Sequence, residues 1–291
     1  MSSLQNHEQN KLNFDVDHTD SGRIAPFLRW AGGKRWLVPQ ILQLLGDQLV
    51  GRYHEPFLGG GSVFFAMETT DKVFLSDLNT DLIEVYRQVR DNPMEVATRL
   101  GEYENNADDY YAARSETPTE AAQRAARFIF LNHTSFNGIF RVNLKGEYNV
   151  PFGNRTSINA PGEEWLIRAS RRLQGVQLTA GDFERALGEV QEGDLVFLDP
   201  PYAIAHNNNG FVKYNQHLFS FKDQERLAEA IEMVSGLGAK FILTNAAHSS
   251  IDHLFSPLGR KLTVSRRNAI GGNQAARGSA EEYVFTNIEA K

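Results

Sequence analysis

The stretch Asp194–Tyr202 reads Asp-Leu-Val-Phe-Leu-Asp-Pro-Pro-Tyr. It limits the fold more than any other part of the chain. Four consecutive apolar residues, Leu195 to Leu198, predict a strand buried on both faces, the pattern of a parallel sheet. Pro200 and Pro201 cannot continue it, because proline fixes φ and has no N–H for the ladder. The chain therefore turns at the carboxyl end of the strand, where open α/β sheets bind their ligands. The turn is stiff and holds one carboxylate, Asp199, and one ring, Tyr202, in fixed relation. A planar base with an amino group can stack on Tyr202 and donate hydrogen bonds to Asp199 and to the Pro200 carbonyl. The plainer alternative is a strand followed by a proline-rich loop.

A chain of 291 residues accommodates one large domain, or a main domain with an insert. No apolar run nears the ~20 residues that cross a bilayer, and the polar N-terminus lacks the apolar core of a secretion signal. The absence of cysteine removes disulfides, thiolate metal ligands and cysteine nucleophiles. We expect a cytoplasmic chain, without a membrane partner and monomeric. The net charge of −6 argues against a nucleic-acid partner, but the average conceals basic segments. Tyr111 to Gly175 holds nine Lys or Arg against five Asp or Glu, and Ser256 to Ala280 holds five Lys or Arg and no acid. Such segments are compatible with binding DNA or RNA.

Residues 1 to 24 are polar without a hydrophobic period and read as a flexible tail. After Trp30-Ala-Gly-Gly-Lys34, a helix is predicted with Lys34 at its entrance. The spacing is not that of a nucleotide P-loop, and a glycine turn with a surface lysine is the alternative. Tyr53 to Met67 predicts a short strand, three glycines (Gly59, Gly60, Gly61) and an apolar helix. Glycines there let backbone approach a ligand closely, and a helix N-terminus attracts a carboxylate. Lys72 to Asn79 predicts a second strand ending at Asp77. An acid about 20 residues beyond a glycine loop is placed to bind ribose hydroxyls; capping of the following helix is its other possible task. The dehydrogenase fingerprint Gly-x-Gly-x-x-Gly is absent.

Asp81 to about Leu173 is mostly helical in pattern, interrupted between His133 and Gly153. Asn137-Gly138 and Lys145-Gly146 are turn signals there, and Ile139 to Asn143 alternates like a strand. An exposed hairpin carrying Arg141, Asn143 and Lys145 is predicted, and such a ribbon fits a DNA groove; an ordinary surface hairpin is the alternative. Leu178 to Phe183 predicts a strand ending in Gly181-Asp182-Phe183, where an acid and a ring can hold an adenine moiety, unless Asp182 caps the next helix. Phe211 to Phe221, after Asn207 to Asn209, suits a substrate loop. Phe221 to Gly238 contains an amphipathic helix. Lys240 to Thr244 and Glu282 to Ile288 are strands, with the basic, glycine-rich Ser265 to Ser279 between them.

Taken in order, Trp30–Lys34, Glu55-Pro-Phe-Leu-Gly-Gly-Gly61, Ser76-Asp-Leu-Asn79, Phe136-Asn-Gly-Ile-Phe-Arg-Val-Asn143, Tyr148-Asn-Val-Pro-Phe-Gly153, Gly181-Asp-Phe183 and Asp199-Pro-Pro-Tyr202 resemble the Dam-type (D12 class) DNA adenine methyltransferase family. The resemblance runs from about Phe27 to the C-terminus. It implies an α/β fold: a Rossmann-like sheet that uses S-adenosylmethionine, with an inserted helical DNA-recognition region carrying a β-hairpin. On this chain that means a catalytic domain of residues 25–80 and 176–291, a recognition region of residues 81–175, and the tail of residues 1–24.

The resemblance assigns the cofactor to Trp30, Lys34, Glu55, Phe57, Gly59, Gly60, Gly61, Asp77, Asp182, Phe183 and Asp199. It assigns catalysis to Asp199, Pro200, Pro201 and Tyr202. Double-stranded DNA falls to Asn137, Ile139, Arg141, Asn143, Lys145, Pro151 and Arg155, with Arg141 and Pro151 at positions that read bases in members recognising GATC. This sequence departs from such members after Gly153, where Asn154-Arg155-Thr156 stands in place of a DNA-contacting tyrosine. The implied reaction is methyl transfer to the 6-amino group of adenine, without a metal. Cytosine carbon-5 methylation is excluded, since it uses a cysteine nucleophile. The alternatives are a ribosomal-RNA adenine methyltransferase, a cytosine amino-methyltransferase and a DNA-binding regulator that has lost catalysis.

Overall fold

A computed structural model describes residues 13–15, 24–46, 51–68, 72–143, 145–155, 157–202, 219–267 and 279–289. The chain divides into two compact units. The first comprises Met1–Val38, Gly59–Glu68 and Asn79–Ala180; the second comprises Pro39–Leu58, Thr69–Leu78 and Gly181–Lys291. The strands in chain order are β1 (Asn13–Asp15), β2 (Tyr53–Glu55), β3 (Val73–Asp77), β4 (Asn159–Pro161), β5 (Gln177–Ala180), β6 (Leu195–Leu198), β7 (Lys240–Ala246), β8 (Arg260–Arg267) and β9 (Ser279–Thr286).

The second unit is built on the sheet that the sequence predicts. Six of the sheet's seven strands lie here, in the order β3-β2-β6-β7-β9-β8. The pairs β3–β2, β2–β6 and β6–β7 are parallel; β9 runs antiparallel to both β7 and β8. The chain steps outward from β2 to β3 and later returns to the other side of β2 as β6. The strand order therefore reverses between β2 and β6, the point where sheets of this Rossmann-like kind bind ligands beyond their carboxyl ends.

All four residues of β6 are buried. Val196 and Leu198 pack with Phe241, Leu243, Leu227, Ile231, Val234 and Phe285; their neighbours Leu195 and Phe197 point to the opposite face, by the period of two. The covering helix, Phe221–Gly236, begins with a capping box in which Ser220 and Asp223 each bind the other's backbone N–H. β8 is a strand that the sequence pattern does not announce. Arg260, Lys261, Arg266 and Arg267 mask its short alternation of Leu262 and Val264, and edge strands commonly carry such cations.

A buried polar cluster closes the amino end of β2 and β6. Arg52 grips Asp194 with its Nε 3.1 Å from Oδ1 and its Nη2 2.7 Å from Oδ2. His54 Nε2 lies 2.9 Å from Oδ2, and the Gln191 N–H donates to the same oxygen at 2.8 Å. Burial alone would raise the Asp194 pKa; these hydrogen bonds outweigh it and hold the carboxyl below its ordinary range. Burial lowers the pKa of His54, more than the Asp194 hydrogen bond restores it. Among the described residues His54 Nδ1 has no hydrogen-bond partner, which fits a neutral ring that donates from Nε2.

The first unit is helical. Helices span Thr80–Asp91, Pro93–Leu100, Ala107–Ser115, Ala121–Thr134 and Glu163–Leu173. The helix Ala121–Thr134 is its centre, with Phe128 to Thr134 all buried. Its buried polar residues have a task. Asn132 accepts from the Arg29 N–H at 2.8 Å and donates to the Arg29 carbonyl at 2.7 Å. His133 Nε2 meets the Phe27 carbonyl at 2.9 Å, and burial lowers its pKa to about 4. Together they seat the segment that leads to Trp30.

The expected tail is corrected at one place. Asn13–Asp15 pairs parallel with β4; Leu12, Phe14 and Val16 alternate with polar residues, a period-two signal too short to stand out in a polar segment. The rest of residues 1–23, together with Asn207 to Asn209, most of the Phe211 to Phe221 loop, residues 268–278 of the glycine-rich segment and Thr156, lies outside the described residues. No described helix is long and apolar enough to cross a membrane.

Candidate active site

In the second unit, the Asp-Pro-Pro-Tyr motif leaves β6 where the sequence predicts it. The residues that hold it are ones that sequence reasoning did not single out. Opposite Leu198 in the register lies Leu243, so the next residue of β7, Thr244, faces Asp199. The buried Thr244 hydroxyl donates to Asp199 Oδ1 at 2.7 Å. Tyr202 donates its hydroxyl to Glu282 Oε2 at 2.9 Å. Gln224 reaches the Pro201 carbonyl at 3.4 Å and is itself held by Asn245 at 2.8 Å. Burial, and then the charges of Asp199 and Glu282, push the Tyr202 pKa well above its ordinary value, so the phenol stays protonated. The signal in the sequence was polar residues inside apolar strand and helix patterns: Thr244-Asn245 ending β7, Gln224 on the inward face of its helix, Glu282 within β9. Pairing them with the motif needs tertiary contacts.

Two more acids end neighbouring strands of the same unit. Glu55 ends β2 and accepts the Tyr53 hydroxyl at 2.8 Å. It lies opposite Leu75, so Asp77, two residues further, stands just beyond it at the end of β3. Asp77 does not cap the helix after it, since Asn79 is the cap and accepts from the Leu82 N–H. Asp182 does cap. It accepts from the Glu184 N–H at 3.0 Å, and Arg226 binds it at 3.0 Å. Phe183 is buried, packed in a triad with Phe57 and Phe219, and the Arg226 guanidinium lies 5.0 Å from its ring centroid.

In the first unit, Trp30 stacks on Phe140 with centroids 5.6 Å apart, in a cluster with Phe128 and Tyr148. Gly59 and Gly60 lie against the indole. A Cβ on Gly59 would come within 2.7 Å of it, and one on Gly60 within 2.9 Å of the Trp30 Cβ. Two of the three glycines expected to admit a ligand, Gly59 and Gly60, thus also make room for Trp30. Gly60→Ala is expected to destabilise the fold by about 1–3 kcal/mol through overpacking, read as a lower urea midpoint.

The apolar helix expected after the glycines is a single 3₁₀ turn, Phe64–Ala66, ended by Met67 in extended backbone. Val63 and the two phenylalanines lose side-chain freedom in a helix and extend one poorly. Lys34 is not the surface lysine of the alternative reading. It is buried, its ammonium donates to the Gly32 carbonyl at 2.8 Å and its N–H to Ser62 at 3.0 Å.

The predicted hairpin is a tighter ribbon. It has two isolated antiparallel bridges, Ser135 with Phe152 and Val142 with Tyr148, and no strand of its own among the described residues. Turns at Phe136–Gly138 and around Asn143–Gly146 leave too few residues between them for a ladder. Asn137 takes the left-handed backbone, φ 57°. The side chain of Asn143 is used in the turn, accepting from the Lys145 and Glu147 N–H groups. The Ile139 carbonyl accepts the Tyr148 hydroxyl at 2.8 Å. Arg141, Lys145 and Pro151 are exposed, and Asn149 braces Arg141 by accepting from its Nε at 2.8 Å. Arg155 turns inward instead and donates to the His133 and Ser135 carbonyls at 2.9 and 3.1 Å.

The sequence model of the D12 class N6 adenine-specific DNA methyltransferase family matches residues 30–269. The chain belongs to that family. The DNA adenine methylase of Serratia marcescens is 37% identical over 268 residues, which cover 89% of this chain and 96% of that protein. The type II methyltransferase M1.LlaDCHI of Lactococcus lactis subsp. cremoris is 32% identical over 275 residues, covering 91% and 95%. The type II methyltransferase M.MjaIII of Methanocaldococcus jannaschii is 34% identical over 266 residues, covering 84% and 92%.

This D12 methyltransferase is therefore an adenine-specific DNA-modifying enzyme. The ribosomal-RNA, cytosine and regulator alternatives fall away. Its sheet accounts for the motif's position: a parallel strand buried on both faces delivers Asp199 to the carboxyl edge, and polar residues of β7 and β9 fix the Pro-Pro-Tyr turn beyond it.

Proposed function

We propose that this enzyme methylates the 6-amino group of adenine in duplex DNA, using S-adenosylmethionine, at GATC or a longer site containing GAT. The observation that carries the reading is the Asp199–Tyr202 turn, with Thr244 bound to the carboxylate and Glu282 to the phenol. A base inside a duplex cannot reach such a turn, so the target adenine leaves the stack. Its ring lies on Tyr202, and its amino protons go to Asp199 and the Pro200 carbonyl. That orients the nitrogen lone pair and leaves acceptors where positive charge develops on nitrogen.

The cofactor, when bound, supplies an electrophilic methyl group on sulfur. The donor set suits it. Asp77 at the end of β3 accepts from ribose hydroxyls, and the Phe57–Phe183–Phe219 triad offers an apolar wall. Glu55 keeps the cofactor role that the resemblance implies, as do Trp30 and Lys34. Gly59, Gly60 and Gly61 keep the cofactor role that the resemblance implies, and Gly59 and Gly60 also seat Trp30. Asp182 contributes as a helix cap that fixes Phe183.

Arg141 and Pro151 read the site in this proposal, Arg141 by pairing its fork with the two acceptors on guanine's major-groove edge. Lys145 supplies affinity on phosphate without sequence information. Tritiated methyl transfer to unmethylated duplexes, each substituted at one position of GATC, tests the reading, with nucleoside digestion to identify the base. Arg141→Ala is expected to relax discrimination at one base pair by about 1–3 kcal/mol, whereas Lys145→Ala weakens all duplexes alike. Equal loss on every duplex for Arg141→Ala would make it a phosphate contact or a structural residue.

A further inference from the structure

We infer that Glu282 is a positioning residue for methyl transfer: from within β9 it holds the Tyr202 hydroxyl and so fixes the position of the ring on which the target adenine stacks. The inference rests on the role proposed above for Tyr202. A buried carboxylate in a strand is costly unless it is hydrogen-bonded. Glu282 is only 7% exposed. Its directly opposite neighbours are Ala246 on β7 and Val264 on β8, neither of which can pair with a carboxylate. Its Oε2 accepts the phenol of a residue 80 positions away, at 2.9 Å.

The two prolines stiffen the backbone up to Pro201 but leave both side-chain torsions of Tyr202 free. A tether at the far end of the ring fixes the first of these and with it the position of the ring. Asp199 is held by Thr244 on the adjacent strand, and the Thr244 hydroxyl also bonds that of Tyr202. The acceptor for the amino group is thus bound to β7, and the platform for the ring to both β7 and β9 of one sheet, which sets the distance between them.

The test is single-turnover methyl transfer by the full chain to a GATC duplex. The variants are Glu282→Ala, Glu282→Gln, Tyr202→Phe and the double variant Glu282→Ala/Tyr202→Phe. Glu282→Ala and Tyr202→Phe are each expected to slow transfer about tenfold, the scale of one hydrogen bond to a charged group. S-adenosylhomocysteine binding stays unchanged, and the double variant is no slower than the slower single one. Glu282→Gln, which still offers the phenol an oxygen, retains most of the rate.

Multiplying effects in the double variant, or a slow Glu282→Ala beside a normal Tyr202→Phe, would overturn the inference. If Glu282→Ala does not fold, Tyr202→Phe and Glu282→Gln decide it: a normal rate in the first, or a rate in the second as low as the first, overturns it. A wild-type chain that leaves adenine unmethylated would instead sink the proposed function and is distinguishable from both outcomes.

Discussion

Asp199→Ala is expected to lower methyl transfer by about 10²–10³-fold while the chain stays folded, the usual cost of removing one charge-assisted group aimed at a transition state. The carboxylate sits at the carboxyl end of β6, partly exposed, with Oδ1 held by Thr244. Removing it leaves Thr244 a second acceptor, since its hydroxyl also lies 3.4 Å from the Leu198 carbonyl. The fold therefore has little reason to suffer. Asp199→Asn keeps an oxygen but loses the charge and should fall between wild type and Asp199→Ala. Single-turnover rates with circular dichroism separate chemistry from folding. Near-normal turnover in Asp199→Ala would remove Asp199 from the reaction.

Asp194→Ala is expected to act on the fold, costing about 3 kcal/mol, the low end of the range for breaking a buried charge pair. The low end applies because the Arg52 side chain remains 19% exposed and can find water. His54 is buried away from water, and the substitution takes the Asp194 carboxylate from its Nε2. The same cluster predicts acid sensitivity. The folded-state pKa of His54 lies below its ordinary value, so the unfolded chain binds a proton first. Stability is full above about pH 6.5, the ordinary histidine value, and falls as pH drops below it. The depressed Asp194 carboxyl adds a second loss at lower pH, beginning near the ordinary carboxylate value of about 3.9. Urea unfolding at several pH values measures both effects. A cost under about 1 kcal/mol for Asp194→Ala would show that the cluster is solvated rather than structural.

Much of this molecule was legible in local patterns. The apolar run Leu195–Leu198 meant a doubly buried strand, and the prolines after it meant a turn at the sheet's edge. The helices Thr80–Asp91 and Phe221–Gly236 and the strands β3 and β7 followed from period and breakers. Local pattern failed where charge or burial overrode it. Cations concealed β8 because an edge strand has no need to look apolar. The apolar run around Phe64 and Phe65 suggested a helix where side chains that extend one poorly form a single turn. Lys34 looked exposed because lysine ordinarily is; Arg155, which the resemblance assigned to DNA, donates to two backbone carbonyls.

By itself the sequence determined the reacting turn, the parallel core strand behind it, the acids that end β2 and β3, and, by resemblance, the family. These depend on neighbours along the chain, which the order of residues states directly. Only the tertiary structure decided what holds the turn in place. Thr244 meets Asp199, Gln224 meets Pro201 and Glu282 meets Tyr202 because β7 and the helix Phe221–Gly236 pack against β6 and β9 pairs with β7. Each is a polar residue at a position where burial penalises it unless a partner far away in sequence supplies a hydrogen bond. No local pattern encodes which partner that is; the register of the sheet does.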